Sequence, residues 1–174
     1  SNSYATITSG TTANLPLQAT IIPPYITNPL GTSNPAAQTF TTNTAAQDIT
    51  NGDLPGPGNP KGFTTPVTVL QDFPVPQSDE GRAMLQIVHD VAPGAQLYFR
   101  TGFFSAGDFA VGIKQLRDAG CNVIVDDVTF ITEPFLQDGI VAKTVDTVAS
   151  QGVSYFSAAG NFANKSYENN FSPV

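Results

Sequence analysis

The chain has 174 residues and a net charge of −7; only 12% of its residues are charged, and it holds one His, one Cys and no Trp. Seven Lys and Arg in total cannot cluster into a phosphate-binding surface, which argues against nucleic acid as a partner. No apolar run approaches the roughly 20 residues that cross a bilayer, so no membrane span is expected; the lone Cys121 forbids an internal disulfide, and no Cys/His grouping has zinc spacing.

Residues 1–47 contain no Asp, Glu, Lys or Arg, and are instead rich in Thr, Asn, Gln, Ala and Pro. Such a stretch cannot build a core alone, and Pro23-Pro24, Pro29 and Pro35 oppose helix, so an extended or edge-strand arm is predicted. The low charge and Thr/Asn texture point to a secreted or extracellular protein. Residues 48–66 read as a turn-rich linker through Asn51-Gly52-Asp53 and Pro55-Gly56-Pro57-Gly58-Asn59-Pro60.

From residue 67 the pattern alternates. A strand at Val67–Leu70 is followed by a helix opening at Ser78-Asp79-Glu80, with Met84, Leu85, Val88 and Val91 as its apolar face and Pro93-Gly94 as its stop. A strand over 96–101, a helix over 108–119 closed by Gly120, a strand over 123–125, a helix over 133–150 and a strand over 153–158 complete the series. The strands start near 67, 96, 122 and 153, each interval being the length of a strand, a crossover helix and two loops. The fold class is therefore α/β, a parallel sheet with crossover helices over residues 67–174.

Ligands of such sheets gather at the carboxyl ends of the strands, here Asp72, Thr101-Gly102, Asp126-Asp127 and Gly160-Asn161. No G-x-G-x-x-G follows a strand and no G-x-x-x-x-G-K occurs, so no nucleotide cofactor is expected. Asp126 and Asp127 lack calcium-loop spacing, and neighbours on a strand point to opposite faces, so they read as strand-end acids bonding loop amides, and no metal is expected.

Two stretches, Asp79-Glu80-Gly81-Arg82-Ala83-Met84 running on to His89-Asp90-Val91-Ala92-Pro93-Gly94-Ala95, and Tyr155-Phe156-Ser157-Ala158-Ala159-Gly160-Asn161, together resemble subtilisin-like serine peptidases over about residues 67–174. The resemblance implies a partial subtilisin-like domain with Glu80 at the position of the catalytic base and Asn161 as an oxyanion donor. It also places Asp127, Val128 and Thr129 on the substrate-binding strand. The sedolisin branch of the family carries Glu at the base position with Asp four residues on, where this chain has Met84; sedolisins also use Asp where Asn161 stands. The family's catalytic Asp should end the first strand, but residues 1–47 hold none.

His89 lies nine residues after Glu80, half a helical turn out of phase, and reads as a last-turn residue favoured by the helix dipole. Gly31-Thr32-Ser33 matches the family's nucleophile tripeptide but leads into a Thr-rich stretch rather than a helix. Asn164-Lys165-Ser166 is a glycosylation sequon by pattern. The expectation is thus a portion of a secreted peptidase that needs a remainder bearing the serine, with a peptide as substrate. The alternative is a non-catalytic subtilase-like module that associates, as a homo-oligomer or with a partner, through its arm and open sheet edge.

Overall fold

The computed structural model describes residues 3–8, 18–20, 39–41, 44–74, 79–134 and 136–160, the first three segments as backbone strands. In chain order the elements are β1 (Ser3–Thr8), β2 (Gln18–Thr20), β3 (Thr39–Thr41), α1 (Ala45–Asn51), β4 (Thr68–Gln71), α2 (Glu80–Val91), β5 (Gln96–Thr101), α3 (Ala106–Asp118), β6 (Val123–Asp126), α4 (Ile140–Ser150) and β7 (Ser154–Ser157). Five strands form one parallel sheet in the order β4-β5-β1-β6-β7, and β2 pairs with β3 in an antiparallel ribbon. The α/β class and the four strands expected after residue 67 are present.

The first segment departs from expectation. Residues 3–8 are not an edge strand of an arm but the middle strand of the sheet, with Ser3 opposite Gln96 on one side and Tyr4 opposite Val123 on the other. The physical reason lies in Tyr4-Ala5-Thr6-Ile7-Thr8: β-branched and aromatic residues without a charge suit a strand paired on both sides as well as they suit an arm.

The linker of 48–66 is corrected at its start. Its first residues lie in α1, which opens with a reciprocal capping box: Gln47 N–H donates to Thr44 Oγ1 at 3.2 Å, and Thr44 N–H donates to Gln47 Oε1 at 2.7 Å. The last helix also begins later than its apolar pattern implied, at Ile140 rather than Glu133.

Alternate residues of β5 face opposite sides of the sheet, as strand geometry requires. Leu97 and Phe99 pack with Leu54 and with Leu85 of α2, and Ala45 and Ile49 of α1 lie against the same cluster. Tyr98 belongs to a larger cluster formed by Phe109, Ile113 and Leu116 of α3, Ile124 of β6 and Val148 of α4. The helices thus lie on both faces, α1 and α2 on one, α3 and α4 on the other. The thiol of Cys121 sits within the second cluster, where burial pushes it up to about 12 and keeps it a neutral packing group.

Each face is pinned by one buried arginine. Arg82 of α2 donates to Asp48 of α1 at 2.5 Å and to Asp79 at 2.5 Å. Arg100 of β5 forms a bidentate pair with Asp108 of α3, one arm at 2.7 Å, and also reaches Gln115 and the Thr101 carbonyl. Gly112 makes room for it: a Cβ there would stand 2.9 Å from Arg100 Cδ.

Candidate functional site

All strands of the main sheet run in parallel, so their carboxyl ends meet along one edge. On the α3/α4 side of that edge, beyond β6 and β7, lies a cleft of about 560 Å³, inside the range of roughly 300–1,000 Å³ typical of ligand pockets. Asp126, Val128, Phe130, Glu133, Tyr155 and Ser157 line it, with Ala158 and Ala159 along its rim.

Asp126 ends β6 on the same face as Ile124, and is only 3% exposed. Its Oδ1 accepts from Ser157 Oγ at 2.9 Å and from the Val128 N–H at 3.2 Å. Burial pushes this carboxyl above the usual carboxylate range and neighbouring Asp127 adds to the effect; the nearby Tyr155 hydroxyl and the hydrogen bonds from Val128 and Ser157 oppose it. The Tyr155 hydroxyl lies buried beside Asp126 without a well-formed hydrogen bond, and burial followed by the Asp126 charge raises it above an ordinary phenol. A carboxyl that holds its proton longer than usual, next to two hydroxyls at a cleft, can exchange a proton with a bound group or bond its polar tip.

Glu133 completes one wall. Its Oε2 accepts the Val141 N–H at 3.3 Å, so the carboxylate caps α4 from outside the helix. At Gly139, the N-cap, a Cβ would fall on that carboxylate, so a larger residue there would displace Glu133 from its cap. The helix expected over 133–150 therefore starts only at Ile140, after the extended backbone of Gly139.

Among the sequence-predicted site residues, Val128 and Thr129 line the cleft, and Asp127 adjoins it as the neighbour of Asp126. Glu80 is the first residue of α2 and is exposed. It shares the carboxyl edge of the sheet but follows β4, so β5 and β1 intervene between its strand and β6. Met84, four residues on, is partly buried. Asn161, the expected oxyanion donor, and the Gly31-Thr32-Ser33 tripeptide lie outside the described residues. The first strand ends on Thr8, so the position where the family resemblance requires an acid carries none.

His89 belongs to the other face, where it packs on Phe63, and it takes no part in the cleft. The helix-dipole reading of this residue is corrected: the ring is 2% exposed and neither nitrogen has a hydrogen-bond partner, so it is held as a buried neutral group.

An aromatic group at the same edge was missed in the sequence. Phe73, just after β4, meets Phe103 and Phe104, just after β5, with ring centroids 5.0 and 4.9 Å apart, and the last two are nearly half exposed. The doublet Phe103-Phe104 directly after a strand was the available signal. Among the described residues no group of three or more His, Cys, Asp and Glu side chains could hold a metal ion, and no helix is long and apolar enough to cross a membrane. Comparison of the chain with known protein families, curated proteins and solved structures finds no match.

Proposed function

We propose that this chain forms the peptide-binding part of a secreted subtilisin-like serine peptidase domain, with hydrolysis depending on a serine from outside the described residues. The observation that carries the reading is the cleft at the carboxyl edge. Its walls come from the Val128-Thr129 segment that follows β6, rather than lying on the strand as expected, and from the Ser157-Ala158-Ala159 ending; the family resemblance assigns the first to the substrate and the second to the approach to the oxyanion donor. The exposed Phe103 and Phe104 supply apolar surface beyond β5, on the other side of β1, so an extended peptide crossing the edge of β1 would have side-chain partners on both sides. Glu80 is the candidate base and Asn161 the candidate oxyanion donor; Asp127, Val128 and Thr129 are the substrate-binding residues.

A second reading, a non-catalytic module of the same ancestry, is favoured by two observations: β1 ends without an acid, and Met84 stands where the resemblance calls for a second carboxylate on α2. Its contacts with a second copy or a partner would then run along an open edge of the sheet, where Phe156 of β7 is 60% exposed.

One experiment separates the two. The protein, together with every chain that co-purifies with it, is treated with a serine-directed fluorophosphonate, and in parallel titrated with a set of tetrapeptides while the amide signals of Val128, Thr129, Ala158 and Ala159 are followed by NMR. A fluorophosphonate adduct together with peptide-induced shifts supports the peptidase. Shifts without an adduct support the non-catalytic module, and the absence of both signals overturns the assignment of the cleft to peptide.

A further inference from the structure

At the opposite end of α2 the chain holds a titratable group that the cleft does not use. His89 lies in the last turn of α2 with its ring edge-on to Phe63, centroids 5.3 Å apart and planes at 88°. It is 2% exposed, and both Nδ1 and Nε2 are buried without a partner. A neutral imidazole tolerates this at a moderate cost in lost hydrogen bonds. An imidazolium has a full charge and two N–H donors to satisfy, and is far more costly in the same place.

Phe63 belongs to the loop 55–66, whose base is fixed where Asp53 and Leu54 bond to α1 and Leu54 packs in the core, and whose tip is tied back on that base. The Gly56 N–H donates to the Phe63 carbonyl at 2.8 Å, the Asn59 amide to the Leu54 carbonyl at 2.8 Å, and Lys61 Nζ to the Gly52 carbonyl at 3.3 Å. Such a loop can open as a local unit, and the Gly56–Phe63 and Asn59–Gly56 bonds break when Phe63 leaves the helix. The charged groups around His89 are Asp90 on its own helix, Lys61 from the loop and Asp53 at its base. Of the strands beneath α2, β1 contains no charged residue, and β5 contains Arg100, which is committed to Asp108 on the far face.

We propose that His89 is an acid-sensitive latch: protonation of its ring releases the loop 55–66 from α2 while Leu54 stays in the apolar cluster and the α3/α4 face of the sheet stays closed. Burial holds this histidine below its ordinary value, Lys61 acts in the same direction, and Asp90 and Asp53 oppose them. The sign follows from linkage. The open state takes up a proton at the ordinary value of 6.5, the closed state does so only at lower pH, and so opening grows as pH falls below 6.5. For a ring that stays neutral when closed, the opening constant rises about tenfold between pH 7.5 and pH 5.5.

Hydrogen exchange, corrected for intrinsic rates, tests this at the amides of Gly56 and Asn59 with those of α3 as internal reference. The wild type is expected to open about tenfold more at the lower pH in the loop alone, and His89→Phe, which keeps the edge-on ring without the titration, less than twofold. An equal response in the loop and in α3, or in the wild type and His89→Phe, overturns the proposal. Because this is the only histidine in the chain, its NMR titration in the wild type gives a second readout that needs no variant. A midpoint below the ordinary 6.5 supports the latch, and one at or above 6.5 overturns it.

Discussion

The two faces of the sheet are held by similar devices used to different ends. On the α3/α4 face, Phe109, Ile113, Leu116, Ile124 and Val148 form one continuous apolar cluster, and the polar groups are pushed to its margins, Arg100 at one side and Asp126 at the strand end. On the α1/α2 face the apolar cluster is smaller, and polar contacts do more of the joining: the capping box of α1, the Arg82 pair across to Asp48, and a loop folded over His89. The lesson concerns where a fold tolerates change. A large dry cluster can carry a cleft with a buried acid at its edge, because the acid is not needed for cohesion. A small cluster has no such reserve, so each polar contact on that face matters to whether it stays closed.

The largest expected effect tests the arginines against each other. Asp108→Ala leaves Arg100 buried without its carboxylate and is expected to destabilise by about 3–5 kcal/mol in urea unfolding. Asp48→Ala removes one of two carboxylates from Arg82, and with Asp79 still bound the expected loss is about 2 kcal/mol. A larger loss from Asp48→Ala would show that the smaller face depends on this pair even with Asp79 still bound to Arg82.

A smaller effect, of opposite sign, is expected at the cleft. The folded-state value of Asp126 lies above its unfolded value of 3.8, so the folded protein holds that proton more tightly, and ionisation removes stability as pH rises from 3.8 through the folded-state value. In Asp126→Asn the amide oxygen can still accept from Ser157 and Val128, so this variant should raise the urea midpoint at pH 7, and the two proteins should converge below pH 3.8. A lower midpoint at pH 7 would mean that the carboxylate is a structural anchor rather than a group kept for a ligand. The smallest effect is expected from Thr44→Ala, which opens the capping box of α1 for about 1 kcal/mol. It should speed hydrogen exchange in α1 more than in α3.

Much of this architecture can be read from the residues. The strand–helix alternation after residue 67, with a helix stop at Pro93-Gly94 and Gly120 after α3, comes from local patterns that act within a few positions. What escaped depends on contacts between distant parts of the chain. Nothing local in Tyr4–Thr8 distinguishes a central strand from an arm, because its centrality is conferred by Gln96–Thr101 and Val123–Asp126. The helix signal over 133–139 gave way at Gly139, whose backbone is extended, and Glu133 reaches across eight residues to cap α4 instead. At the candidate site, Val128 and Thr129 were legible because they follow a strand. The raised carboxyl of Asp126 was not, since its environment is made by Tyr155 and Ser157 from the next strand.

The position of β1 bears on how the protein is assembled. The ribosome delivers this strand well before both of its neighbours, β5 and β6, which are synthesised only after a long intervening stretch of chain. Its pairings therefore close very long loops, a topology associated with slow folding and prolonged exposure of unpaired backbone. Until they form, β4–β5 and β6–β7 are two separate strand pairs, and insertion of the earlier segment between them joins the sheet. A nascent chain of this kind would benefit from a chaperone or a helper segment that shields the waiting strand.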